Sequence, residues 1–502
     1  MLEIPSGLVI GIQLAAENFH WVLIGVALGM FIGTIPGMGG IVTLTLFLPF
    51  TLAMEPYQAF AFMSGGLGAT TFAGSLTAIL INTPGTSSNA ATLIDGYPLT
   101  QKGEAGTAIT ASALSSAIGA VIGIVLFILF IPVLIEIALL FGPSEVAWLV
   151  LTAIIVISVI IDDRPLLGIA TGIFGVLLAL VGTAPQTGEN RFTFSQGELY
   201  GGVSLIAMII GLFALAEIVR LMASDKKAIS PESTVSVGKK RAKGITETLK
   251  HKWLILRCSL IGLVVGAIPG AGGSTAAFVA YGHGAQSIKD ANFGSGNLTG
   301  VIAPEASNDA KDGGQLFPSL GLGIPGSGSM AVFLAALLMH GYLPGPQLLI
   351  QDSEIAVMIA VSLLLSNITT SAIGLIATRH IVKILKIPIV KLLPAIVVLA
   401  MAAVFIDQSQ VIDLYIALIF GILGLIMIQA KVSRVPIIVG FVLGAILEQN
   451  YFLATAYAGG NFTEAFFTGY LNWILISILL VSIISMFLPK EDIKSVINNR
   501  IL

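Results

Sequence analysis

Residues 29–40 and 262–273 carry one pattern twice, Gly-x-x-x-Gly-x-Ile-Pro-Gly-x-Gly-Gly, each time at the end of a long apolar run. A proline inside a helix removes one backbone hydrogen bond and clashes with another, and the flanking glycines open backbone conformations closed to other residues. Pro36-Gly37-Met38-Gly39-Gly40 and Pro269-Gly270-Ala271-Gly272-Gly273 are therefore expected to leave helical geometry. Within hydrocarbon the freed N–H and C=O groups cannot face lipid, so both breaks must be buried in protein or line a polar cavity. Paired interruptions at corresponding points of two halves point to a binding site.

The apolar runs settle the fold class. Of the 502 residues 56% are hydrophobic and only 10% charged, with a mean hydropathy of +0.98, too apolar for a soluble surface. Runs such as 117–141, 202–222 and 471–488 are apolar on all sides, which excludes the alternating strands of a barrel. The chain reads as an all-α polytopic membrane protein of about 12 transmembrane helices. The net charge of −3 is not gathered into a basic stripe for nucleic acid, and Cys258, the sole cysteine, excludes a disulfide framework. The five histidines, His20, His251, His283, His340 and His380, lack metal-ligand spacing, and Met1–Gly7 lacks the basic start of a cleaved signal peptide.

One long polar stretch, residues 223–252, is rich in lysine and divides the chain. By the positive-inside rule it is cytoplasmic, as are Arg379–Lys391, the Lys431–Arg434 turn and the tail after Pro489. The expected organisation is a first transmembrane repeat over 1–222, the cytoplasmic linker 223–252, a second repeat over 253–452 and an additional helix with a cytoplasmic tail over 453–502. The halves match beyond the opening pattern. Pro84-Gly85-Thr86-Ser87-Ser88 is answered by Pro325-Gly326-Ser327-Gly328-Ser329, and Ile161-Asp162 before Gly172–Gly175 by Ile406-Asp407 before Phe420–Gly424. Counting helices from the linker puts Asp162 inside and Asp407 outside, the signature of inverted repeats whose broken or re-entrant helices meet near the midplane.

Each motif has a structural and a functional reading. Gly29-x-x-x-Gly33 and Gly262-x-x-x-Gly266 are read as helix packing. The Pro-Gly segments are read as site, because packing requires neither the proline nor four irregular residues in both repeats. Asn82, Thr83, Pro84, Gly85, Thr86 and Ser87, like Pro325, Gly326, Ser327 and Ser329, end an apolar approach in small hydroxyl and amide groups. Such a turn offers oxygens and N–H donors to carboxylate oxygens and a sodium ion together. With Pro36, Gly37, Gly39, Gly40, Pro269, Gly270, Gly272, Gly273 and Ser274 they form the candidate substrate site. Ala303–Gly314 is either a solvated loop or a cavity mouth at which Glu305, Asn308 and Asp309, one helical turn apart, hold a coupling Na+ or H+. The first half has no matching acids.

Taken in order, Gly33–Gly40, Asn82–Thr86, Gly266–Gly273, Pro304–Asp309 and Leu322–Gly326 resemble the large membrane subunit of the bacterial tripartite tricarboxylate transporter family. Thr187-Gly188, Arg191–Phe194 and Gly211–Ala214 with Glu217 resemble it too. The resemblance spans nearly the whole chain. It implies a permease of the bacterial cytoplasmic (inner) membrane, surrounded by lipid, that imports small di- or tricarboxylates by Na+ or H+ symport. It also implies a small membrane subunit, a soluble periplasmic substrate-binding protein and an elevator-like cycle, and leaves room for a homodimer. No other cofactor and no catalysis are expected. The alternatives are a carboxylate channel, a non-transporting structural subunit, and an intramembrane enzyme built on Glu305, Asp309 and His283, which lacks a nucleophile with a base.

Overall fold

The computed structural model describes residues 6–35, 37–161, 164–223, 240–288, 292–384 and 393–486. Pro36, the Asp162–Asp163 pair that anchors the inversion argument, residues 224–239 of the linker, residues 385–391 and the tail after Pro489 lie outside the described residues. Apart from one antiparallel pair of two-residue strands, β1 (Gly182–Thr183) and β2 (Asn190–Arg191), the elements are helical.

The first half runs α1 (Ser6–Glu17), α2 (Phe19–Gly33), α3 (Gly40–Thr51), α4 (Pro56–Ile81), α5 (Asn89–Gln101), α6 (Ala105–Ala138), α7 (Pro143–Ile161), α8 (Pro165–Ala179), α9 (Leu205–Ile209) and α10 (Ala216–Met222). A wider π-helical turn over Ile210–Leu215 joins the last two. The second half runs α11 (Arg241–Lys250), α12 (Lys252–Gly266), α13 (Gly272–Ser287), α14 (Thr299–Leu316), α15 (Gly328–Met339), α16 (Pro346–Gln351), α17 (Ser353–Ile384), α18 (Leu393–Gln408), α19 (Val411–Gln429) and α20 (Val435–Tyr457), followed by α21 (Phe462–Phe467) and α22 (Tyr470–Ser485). Within the 223–252 stretch read as a linker, Arg241–Lys250 is thus a helix. It stands to α12 as α1 stands to α2.

Packing repeats between the halves with the partners exchanged. Helix α2 lies on α4 as α12 lies on α14; α4 lies on α17 as α14 lies on α6; α1 meets α17 as α11 meets α6; α8 meets α20 as α19 meets the α9–α10 segment. The Gly-x-x-x-Gly pairs set the distance of closest approach. A Cβ on Gly33 would stand 2.9 Å from the Thr70 Cα, and one on Gly266 2.9 Å from the Lys311 Cα. Glycine alone lets those backbones touch, as the packing reading requires.

Among the described residues, seven helices are long and apolar enough to cross a membrane, or up to eight if α1 and α2, bent by 60° at Asn18, form one span. The difference from about 12 has a physical source in the breaks, which leave short apolar pieces such as α3 and α15. The polar α14 also fails a hydropathy test, yet every residue from Thr299 to Leu316 is buried. It is the inner wall against which α6, α12 and α13 pack. Outward faces of α18, α19 and α22 expose Leu399, Ile419, Ile422, Ile426 and Val481, the surface of a multi-pass membrane protein.

Candidate functional site

Both halves close their paired breaks with the same hydrogen bond. Gly37, at φ 88°, donates its N–H to the Gly85 carbonyl at 3.2 Å; Gly270, at φ 78°, donates to the Gly326 carbonyl at 3.2 Å. Only glycine takes up a positive φ without steric cost, so the glycine of each first break fixes where the second can sit. The second breaks are held from within their own halves. Asn89 accepts the Thr86 N–H and hydroxyl on its Oδ1, and donates Nδ2 to the Thr71 carbonyl and Ser75 Oγ. Ser327 caps α15 by accepting the Met330 N–H and donates to Gln315 Oε1 at 2.8 Å.

All four breaks meet at one cavity of about 420 Å³. Its wall takes Gly37, Gly39 and Gly40 from the first break and Pro84, Gly85, Thr86 and Ser87 from the second. The other half contributes Gly272, Gly273 and Ser274, then Ser327 and Ser329. Asn82, Thr83, Pro269, Gly270, Pro325 and Gly326 are not among the residues of this wall; Asn82, at φ 54°, ends α4, and Gly326 donates its N–H to Ser319 Oγ. Helices α3, α5, α13 and α15 each begin at the cavity. Four N-termini, with their free N–H groups and partial positive charge, therefore border one space.

Charged side chains complete the wall. Lys311 of α14 and Arg434 before α20 line it, together with Glu217 of α10. Arg434 donates to the Leu212 carbonyl at 2.8 Å and lies over the Phe213 ring, while Glu217 is paired with Arg220. Lys311, buried, is paired with the wholly buried Asp312. Thr70 and Thr71 of α4 hold the corresponding places in the first half, opposite Gly33 as Lys311 is opposite Gly266. Sequence reasoning did not single out Lys311, Arg434, Thr70 or Thr71. The usable signal was the Gly33–Thr70 and Gly266–Lys311 register, which two copies of one fold would share.

The three acidic-stretch candidates separate. Glu305 is fully engaged: Ser75 and Thr92 donate to one carboxylate oxygen, Ser112 and Ser116 to the other. All four donors belong to the first half, so Glu305 ties the halves together. Asn308 and Asp309 are buried with none of their side-chain polar atoms hydrogen-bonded. Asn308 borders the cavity wall, since a Cβ on Gly273 would stand 3.1 Å from its Oδ1. The solvated-loop reading of 303–314 is excluded by the burial of every residue of α14. No group of three or more His, Cys, Asp or Glu side chains arranged to hold a metal occurs among the described residues.

The tripartite tricarboxylate transporter TctA family matches residues 19–439. An uncharacterised 52.8 kDa protein of Agrobacterium vitis, encoded in the TAR-I ttuC' 3' region, is 32% identical over 497 residues, 98% of this chain and 97% of that protein. A second A. vitis protein, from the TAR-II ttuC' 3' region, is 32% identical over 230 residues, 46% of this chain and 95% of the relative. No solved structure matches. A match of this extent, joined to the duplicated Pro-Gly architecture, decides the question that the ordered motifs raised: the chain belongs to the tripartite tricarboxylate transporter TctA family.

Proposed function

We propose that this protein is the large permease subunit of a binding-protein-dependent secondary transporter that imports a small di- or tricarboxylate with Na+ or H+. The observation that carries this reading is the cavity in which four helix N-termini converge beside Lys311 and a set of small hydroxyls. Carboxylate oxygens are stabilised by such N-termini, and among the described residues the Arg220-paired Glu217 is the one carboxylate on the wall. Asn308 and Asp309, buried and without hydrogen bonds, are the best placed oxygens for the coupling cation, with Glu305 holding the halves together.

The exchanged packing of the halves supports inverted repeats moving as an elevator-like domain against a scaffold, with the linker and C-terminus on the cytoplasmic side of the inner membrane. The family supports a small membrane subunit and a periplasmic binding protein as partners. A test is uptake by the full complex in proteoliposomes, with binding protein and a carboxylate panel, under Na+ and pH gradients imposed separately. One gradient is expected to drive accumulation above the external concentration. Equilibration without accumulation would instead indicate a channel, and no movement of any carboxylate would leave a structural subunit.

A further inference from the structure

Lys311 faces two ways. Its side chain lines the cavity, yet its ammonium is paired with Asp312, which lies behind the wall and is wholly buried. Asp312 also accepts from Gln315 Nε2 at 3.0 Å and from Asn367 Nδ2 at 3.5 Å. Gln315 in turn accepts from Ser327, a wall residue, so the ion pair is connected to the cavity at two points. One helical turn away Asp309 keeps both carboxylate oxygens without a hydrogen bond, and Asn367 Oδ1 is likewise without one.

We propose that Lys311 is the counter-cation for a substrate carboxylate, and that its transfer from Asp312 to the substrate exposes an oxygen site for Na+ formed by Asp312, Asp309 and Asn367 Oδ1. This rests on the carboxylate-transporter reading and deepens it. A buried carboxylate that loses its cation is strongly destabilised unless another cation replaces it. Anion entry at Lys311 therefore raises the affinity of the Asp312 side for Na+, and Na+ bound at Asp312 frees Lys311 for the anion. Such linkage is reciprocal by thermodynamic necessity. Oxygen donors alone suit a hard cation. The first half carries Thr70 and Thr71 at the matching positions, so the exchange belongs to one half and each anion handled by Lys311 is accompanied by one positive charge.

The test separates the cation arm from transport. In the purified chain, thermal stability is compared in NaCl and in choline chloride. Lys311→Met leaves Asp312 without its lysine, and Na+ is expected to stabilise this variant at concentrations about 5–150-fold lower than it does the wild type. Lys311→Met/Asp312→Asn is expected to lose that response. In proteoliposomes the Asp312→Asn complex, which keeps Lys311, is expected to move carboxylate without dependence on the Na+ gradient. Equal Na+ responses of wild type and Lys311→Met, survival of the response in the double variant, or a response to pH alone would overturn the proposal. If Lys311→Met does not fold, Na+-driven accumulation by Asp312→Asn would overturn it. Absence of all carboxylate uptake by the wild type would count against the transporter reading and leave the stability comparison decisive for the site.

Discussion

Gly273 illustrates how a single residue shapes the cavity. A Cβ there would stand 2.7 Å from Lys311 Cε and 3.1 Å from Asn308 Oδ1. Both contacts are side-chain ends, so Gly273→Ala is expected to fold with a loss at the low end of the about 1–3 kcal/mol of overpacking, while pushing Lys311 from its place and lowering carboxylate affinity, read by uptake kinetics. Glu305 is the opposite case. Glu305→Ala removes the acceptor of four buried hydroxyls, of which Ser75 keeps the Thr71 carbonyl, and each group left orphaned costs about 1–3 kcal/mol before relaxation. Its expected effect is a lowered melting temperature at all Na+ concentrations, whereas Asp309→Asn should change the Na+ dependence of uptake with little change in melting. At this scale the Pro-Gly residues were legible because their backbone requirement is written in the residue type. Lys311 and Arg434 were not, because one sat in a run that looked like a polar loop and the other in a turn counted only for its charge.

Elements are joined by devices that differ in visibility. Close helix contact at Gly33 and Gly266 follows from glycine spacing, and Gly33→Val or Gly266→Val should each destabilise by at least about 1–3 kcal/mol through overpacking, measured by thermal unfolding. Helix α11 was hidden. Its lysines and low hydropathy resemble a linker, and the face it buries against α6 is made of small groups, with Gly244 set over Thr110. The joint is electrostatic as well: Lys240 and Lys243 both pair with Glu104 just before α6. The Lys240 hydrogen bond, aided by Thr107, holds the Glu104 carboxyl down at about 2 against the usual 4.5. A depressed acid stabilises the fold above its unfolded pKa and ceases to do so as pH falls through its folded one. Amide-exchange protection of α11 should therefore be constant above about pH 4.5 and decline toward pH 2, and Glu104→Gln should remove that dependence.

At the scale of the molecule, duplication governs the design. The same bond between first and second breaks, Gly37 to Gly85 and Gly270 to Gly326, recurs in halves that exchange partners, and the four resulting helix N-termini border one cavity. The sequence repeat announced two copies and two breaks in each. It did not announce that α14, polar along its length, would be buried, since hydropathy counts polarity and not the partners that satisfy it. In the proposed cycle both halves serve one cavity reached from each side of the membrane in turn. Single cysteines at Ser87 and Ser327, on opposite halves of the wall, measure this with a membrane-impermeant maleimide in vesicles of known orientation. The two are expected to react from the same side under any one condition, to change side together when the cation gradient is reversed, and to be protected together by a transported carboxylate. Reaction of one cysteine from one side while the other reacts from the opposite side would contradict it.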